Sequence, residues 1–179
     1  MVNYEEILRL TRDCGFTAAA KLDISTLEFL PEVREMCAAD KCNMYNKTWA
    51  CPPACGSLEE MEKKVRGYHD AILVQTVGEL EDSLDWEGIR ETGDAQAKNF
   101  ARLEAELAKR YPNLWAMGTG ACTKCKKCTY PDAPCRFPDQ LFSSMEACGL
   151  YVSKVCTDNG LPYNYGPNKL AYSACFLLE

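Results

Sequence analysis

The sequence lacks the features that mark several common classes of protein. No apolar run approaches the roughly 18 residues needed to cross a bilayer, so we expect no membrane-spanning helix. There is one histidine, His69, and there is neither a Gly-x-Gly-x-x-Gly segment nor a Walker loop. Hydrolases built on a Cys/His/Asn set, kinases and dinucleotide-dependent enzymes therefore find no support. We expect His69 to have a structural or surface role.

Positive charge is also scarce. The chain has 20 Lys and Arg residues against 26 Asp and Glu residues, which gives a formal net charge of −6. This balance disfavours nucleic acid and anionic membranes as partners. Residues 1–10 carry two glutamates and no basic leader before an apolar block, so we expect no secretory signal and a cytoplasmic location.

Cysteine, by contrast, is abundant, with twelve in 179 residues. Disulfides are rare in a reducing compartment, so metal binding is the better explanation. Eight of the cysteines fall into two groups of four, and we predict that each group holds a metal centre. The first group is Cys37, Cys42, Cys51 and Cys55, and the second is Cys122, Cys125, Cys128 and Cys135.

The second group has the more specific spacing. Two residues separate Cys122 from Cys125 and Cys125 from Cys128, and such a triple can wrap three corners of a [4Fe-4S] cubane. Structural zinc usually takes two separated Cys-x-x-Cys pairs, so the spacing favours iron–sulfur and leaves zinc as the alternative. Cys135 follows after six residues, and Cys148 is an alternative fourth ligand.

Basic residues surround the second group, namely Lys124, Lys126, Lys127 and Arg136. Positive charge there would favour thiolates and raise the reduction potential of a cluster. The alternative is an ordinary solvated loop.

The first group ends in a stiff loop, Cys51-Pro-Pro-Ala-Cys55-Gly56, before a predicted helix. Ser57 and Glu60 fit a capping box, so the positive end of that helix should lie beside Cys55 and lower its pKa. Iron–sulfur is again favoured, although zinc competes better here. We expect Tyr45 and Trp49 to form a hydrophobic cover over the site.

The pattern of apolar residues predicts an α/β or α+β fold, a single-domain sandwich of a roughly four-stranded sheet with helices and two cysteine-rich metal-binding loops. Residues 1–179 are predicted to form one cysteine-rich metal-binding domain. The remaining thiols, Cys14, Cys148, Cys156 and Cys175, should pack in the core.

The sequence also predicts the helices and strands. The predicted helices are 4–14, one from Ser25 or Thr26 towards Cys37, 57–67, 94–111 and 151–159, and the predicted strands are 16–22, 70–77, 114–119 and 170–178. Residues 78–93 are interpreted as an exposed acidic connection.

The cysteine motifs resemble those of a family of small cysteine-rich microbial proteins described as predicted metal-binding proteins. The likeness lies in Cys42 to Gly56, in Gly120 to Cys128, and in Pro134-Cys135-Arg136 followed by Ser144 to Ala147. It covers nearly the whole chain. It implies metal binding, as iron–sulfur clusters, and implies no substrate.

The resulting hypothesis is a redox protein with two [4Fe-4S] clusters that exchanges electrons with a protein partner or a nearby cofactor. One alternative is a zinc-binding structural or interaction module, whose acidic loop binds a partner. Another is an iron–sulfur reductase of a small molecule bound in the tyrosine-containing segment 159–168. Electron relay between two clusters requires that the two cysteine loops meet in space.

Overall fold

A four-stranded antiparallel sheet forms the centre of the fold. The computed structural model describes residues 2–179. The helices are α1 (Tyr4–Asp13), α2 (Pro31–Ala38), α3 (Leu58–Arg66), α4 (Trp86–Ala108) and α5 (Val152–Asp158). The strands are β1 (Ala18–Lys21), β2 (Asp70–Glu79), β3 (Trp115–Met117) and β4 (Lys169–Leu178). The α+β class predicted from the sequence is confirmed.

The strands lie in the order β1-β2-β4-β3, and every neighbouring pair is antiparallel. Strands β2 and β4 form the central pair over their whole length, from Asp70 opposite Leu178 to Glu79 opposite Lys169. The short strand β3 is an edge strand. The chain that follows β3 therefore leaves the sheet at its edge.

Both faces of the sheet are buried. Alternating side chains of β2 divide between two cores, so that Leu73 packs on one face and Ile72 on the other. The first core includes residues of α3 and α5, and the second includes residues of α1 and α4. A strand that is buried on both faces has apolar residues at successive positions, which explains the continuous apolar run of residues 71–74.

The four thiols outside the two groups lie in the protein interior. Cys14, Cys148, Cys156 and Cys175 are all buried and belong to the two cores. Burial raises the pKa of each, because a thiolate is poorly solvated there. Their predicted packing role is confirmed.

Helix α2 begins later than the sequence predicted. Asp23 caps only a short 3-10 turn, Ile24–Thr26, and the chain is then extended up to Leu30. Pro31 occupies the first turn of α2, where a missing N–H costs nothing, and it disfavours a helical conformation at the residue before it. The expected start at Ser25 or Thr26 is therefore wrong.

Helix α4 begins earlier than predicted, at Trp86 rather than after Asp94. Its cap is Asp85, whose carboxylate accepts the Gly88 amide at 2.9 Å. The buried stripe of α4 continues upstream of Leu103 through polar residues, which a hydrophobic pattern does not reveal. The predicted connection over residues 78–93 is therefore reduced to residues 80–85, since β2 ends at Glu79 and α4 starts at Trp86.

Two irregular segments interrupt this framework. The first cysteine segment, residues 37–56, starts in the last turn of α2 and ends just before α3, and the second cysteine segment, residues 118–137, follows β3. Among the helices formed by residues 2–179, none combines the length and apolarity that crossing a bilayer demands.

Candidate metal centre

The four thiols of the second group line one cavity. Cys122, Cys125, Cys128 and Cys135 all contribute to the wall of a space of about 170 Å³. Cys148 does not line it and lies instead in the core, where its Sγ is 3.8 Å from Met61 Sδ. Of the two candidates for the fourth position, Cys135 is the one that the fold places beside the other three.

A turn between Cys128 and Cys135 returns the chain to this cavity. The Ala133 amide donates to the Thr129 carbonyl at 2.9 Å, and the Thr129 hydroxyl donates to the Pro134 carbonyl at 2.8 Å. These bonds close the six-residue excursion that separates this group from a ferredoxin-type run. The Phe137 amide then points at Cys135 Sγ, 3.4 Å away. Such amides stabilise negative charge on a ligating sulfur.

Positive side chains stand around the same cavity. Lys124, Lys126 and Arg136 contribute to its wall and are exposed on its outer side. Arg136 also donates to the Lys127 carbonyl at 3.0 Å, which ties together the two ends of the turn between Cys128 and Cys135. The basic surroundings expected from the sequence are therefore present, and they suit a group that carries negative charge.

The first cysteine segment supplies the opposite wall of this cavity, through residues 44 and 47–50. Thr48 is 6% exposed. Within residues 2–179, however, Thr48 Oγ1 has no hydrogen-bond partner. A buried hydroxyl without a partner is costly, and a sulfide or thiolate in the cavity would accept its proton.

Left-handed residues fold the first cysteine segment back on itself. Asp40, Asn43 and Asn46 have φ of 50°, 58° and 55°. The Asp40 carboxylate accepts the Tyr45 amide at 2.8 Å, and the Asn46 amide donates to the Pro52 carbonyl at 2.8 Å. Asp and Asn tolerate this backbone region better than other residues with a Cβ.

The thiols of the first group lie close enough to influence one another electrostatically. Burial raises the pKa of Cys37, and the nearby Cys42 and Cys51 raise it further. Burial also raises the pKa of Cys51, as do Cys42, Cys122 and Cys128. Cys51 is therefore near thiols of both groups. A bound cation would reverse these shifts by favouring the thiolates.

Arg34, on α2, holds the end of the first cysteine segment. Its guanidinium donates to the carbonyls of Gly56 and Ala147, each at 2.7 Å, and lies 3.9 Å from Cys55 Sγ. Ser57 and Glu60 form the predicted capping box of α3. Burial nevertheless raises the pKa of Cys55 more than Arg34 lowers it, so the expected lowered pKa is wrong.

The two cysteine segments contact each other directly. The rings of Trp49 and Tyr130 pack edge to face with centroids 4.9 Å apart. Trp49 Nε1 donates to the Ala133 carbonyl at 3.1 Å, and the Tyr130 hydroxyl donates to Asn46 Oδ1 at 2.6 Å. The two cysteine loops therefore meet in space, as predicted. Trp49 covers the second group, whereas Tyr45 does not line that cavity.

The thiols surround space rather than close on one point. Across the described residues 2–179, no three Cys, His, Asp or Glu side chains converge tightly enough to enclose a metal ion. The donor set fits a bulky, sulfur-ligated group: four thiols line one cavity, beside basic side chains and an unpartnered hydroxyl.

Comparison with known proteins supports metal binding. Residues 20–178 match the family described as "Predicted metal-binding protein (DUF2284)". The chain belongs to this family. The resemblance inferred from the cysteine motifs is therefore confirmed. No curated protein and no solved structure matches the chain. The cysteines and the geometry described above are therefore the basis for any proposal about function.

Sequence reasoning missed Arg34 and Thr48, since neither residue type nor spacing distinguishes them before the chain folds. The alternative of a small-molecule pocket in segment 159–168 finds no support here, because this segment lines neither cavity that contains a cysteine. In that segment, the Tyr165 hydroxyl donates to Gln75 Oε1 at 2.6 Å and Tyr163 is exposed. His69 lies on the surface, as expected.

Proposed function

We propose that this protein is a cytoplasmic iron–sulfur protein that holds two [4Fe-4S] clusters and relays single electrons to or from a protein partner. The observation that carries the proposal is the cavity lined by Cys122, Cys125, Cys128 and Cys135. A [4Fe-4S] cluster bound there would accept and return one electron at a time.

The arrangement of the thiols favours a cluster over zinc. Structural zinc holds four sulfurs about 2.3 Å from a single point. The second group instead lines a space of about 170 Å³. A group with several corners suits thiols that are spread around a cavity.

The second cluster is assigned to Cys37, Cys42, Cys51 and Cys55, since these thiols influence one another and Cys51 is also influenced by Cys122 and Cys128 of the second group. Arg34 fixes the loop that ends at Cys55. Trp49 and Tyr130 hold the two segments against each other. Contact between the two segments is what electron exchange between two centres requires.

The partner surface is proposed from charge. The protein is acidic overall, yet exposed Lys124, Lys126, Lys127 and Arg136 cluster beside the second group. A redox partner with an acidic docking face would be drawn to this patch, which lies beside the second group of thiols. Lys47 also lines this cavity, but its ammonium group forms an ion pair with the Asp40 carboxylate, with Nζ 3.7 Å from Oδ2.

The test is anaerobic purification followed by measurement of iron, acid-labile sulfide and zinc. We expect near-equal iron and sulfide, on the order of eight of each per chain for two cubanes. Cys125→Ser should lose about half of the iron if the two centres are separate. Cys14→Ala is the matched control, because that thiol is buried in the core, and it should retain all of the iron. Colourless protein with stoichiometric zinc would overturn the proposal.

A further inference from the structure

A second cavity lies directly against the proposed cluster site. It has a volume of about 450 Å³ and is bounded by α4, by the chain after β3 and by Tyr172 of β4. Cys122, Lys124 and Gln140 contribute to the walls of both cavities. A volume of this size is typical of sites for small organic molecules.

The walls of this second cavity are mainly apolar and aromatic. Phe100, Phe142 and Tyr172 line it, and all three are only partly buried. Phe100 and Phe142 meet edge to face with centroids 5.8 Å apart. Ring faces of this kind suit a planar molecule. Glu104 and Lys124 place one charge of each sign in the wall, so the cavity favours a ligand without net charge.

Gln96 offers this cavity an unused hydrogen-bond acceptor. The residue is 4% exposed and lies in the wall. Its Nε2 donates to Thr119 Oγ1 at 3.3 Å, and the Thr119 hydroxyl donates in turn to the Ser173 carbonyl at 2.8 Å. Because the Thr119 proton is committed to Ser173, Thr119 can only accept from Gln96, and this fixes the orientation of the amide.

The other end of that amide has no partner. Gln96 Oε1 is buried and meets no donor anywhere in residues 2–179. Most buried side-chain polar atoms are hydrogen-bonded, so this exception calls for a donor from outside the chain. An N–H group on a molecule in the cavity would supply it once the Gln96 side chain turns towards the cavity, because the oxygen is covered by protein atoms in this conformation.

Two glycines keep the cavity open without serving the fold. A Cβ on Gly93 would lie 3.9 Å from the Tyr172 ring, and a Cβ on Gly118 would lie 3.6 Å from the Phe100 ring. Both distances are ordinary contacts, and neither glycine has a positive φ. Glycine weakens a helix, yet Gly93 lies inside α4. Neither space nor backbone conformation requires glycine here, whereas any side chain would fill the cavity.

The geometry points to a binding site for a planar, uncharged heteroaromatic molecule whose ring N–H donates to Gln96 Oε1. The ligand would stack among Phe100, Phe142 and Tyr172, with one edge against Cys122. This inference goes beyond the proposed electron relay, and it is argued from the protein side chains of the wall alone.

The test is calorimetric titration of the purified protein with lumazine, a neutral bicyclic dione with ring N–H groups. Its derivative methylated on both of those nitrogens is the matched ligand without the donors. Wild-type protein should bind lumazine about tenfold more tightly than the methylated form, which is the expected effect of one buried hydrogen bond. Gln96→Met should remove that preference, so that both ligands bind equally.

The second part of the test fills the cavity with a leucine side chain. Gly93→Leu should weaken lumazine binding by at least about tenfold, because leucine occupies the ligand's space without harming the helix. Ala105→Leu, an exposed position on α4 outside the cavity wall, should leave binding within about twofold of wild type. Iron content is measured separately for each sample, so failure of the cluster proposal is distinguishable. Absent lumazine binding, binding unchanged in Gly93→Leu, or a ligand-soaked crystal with only water at Gln96 would overturn the inference.

Discussion

The fourth ligand of the second group depends on where two thiols lie. Cys135 and Cys148 are both plausible in the sequence, because each follows Cys128 within 20 residues. The fold separates them, since Cys135 lines the cavity with the other three thiols while Cys148 is fully buried beside Met61. Only the turn that returns Cys135 to the cavity distinguishes them, and spacing does not reveal that turn.

Cys135→Ser should therefore lose about half of the bound iron, because one cluster loses a corner ligand. Cys148→Ala should keep its iron and lose about 1 kcal/mol of unfolding free energy, because it leaves a small cavity in the core. Iron per chain and urea unfolding of the two variants provide the measurement. Full iron in Cys135→Ser together with lost iron in Cys148→Ala would reverse the assignment.

Two supporting residues could not be found from the sequence. Arg34 reaches Gly56 and Ala147, which are far from it in the chain, and Thr48 matters only because its hydroxyl is buried without a partner in residues 2–179. A site residue can be predicted when its type is the ligand, as with cysteine. A residue that acts through burial or a distant carbonyl becomes visible only in the fold.

At the scale of elements, the sequence predicted what local chemistry determines. The capping box of α3 and the buried run of β2 are both present. The predicted start of α4 was wrong because Asp94 and Asp85 are equally suitable as N-cap residues by residue type. The decisive difference is the buried polar stripe of Thr92, Gln96 and Asn99, which depends on tertiary packing.

The Asp85 cap makes a prediction about pH. Its carboxylate accepts the amides of Gly88 and Glu81, at 2.9 and 3.0 Å, and these bonds hold its pKa below the usual 3.8. Because the pKa is lower in the folded state, the stabilisation is fully present above about 3.8 and is lost as the pH falls through the folded value. Asp85→Asn should therefore lose less stability than wild type on acidification.

The measurement is urea unfolding at a series of pH values on either side of the aspartate range. Asp94→Asn serves as the control, since Asp94 is an exposed residue inside α4, and it should follow the wild-type pH profile. If Asp94→Asn flattened the profile while Asp85→Asn did not, the assignment of the helix start would be wrong.

At the scale of the whole molecule, the sheet and the cysteine segments are built differently. The two cores contain none of the eight thiols assigned to metal. Between Ala39 and Ser57, and again between Thr119 and Phe137, the chain forms neither helix nor strand. The sequence predicted both parts, but their meeting through Trp49 and Tyr130 is a long-range contact that no local pattern encodes.

Removal of iron should therefore loosen the cysteine segments and spare the sheet. After anaerobic chelation, we expect far-ultraviolet circular dichroism to remain and hydrogen exchange to rise in residues 39–56 and 119–137. Protection in β2 and β4 should persist, because their cores do not use the metal ligands. Global unfolding on iron removal would show instead that the metal substitutes for a hydrophobic core.

The most direct test of the central claim is an anaerobic crystal structure with anomalous scattering measured at the iron edge. We expect two compact four-iron centres, one held by Cys122, Cys125, Cys128 and Cys135 and the other by Cys37, Cys42, Cys51 and Cys55. A single tetrahedral ion at either site, or sulfurs bonded to one another, would contradict it.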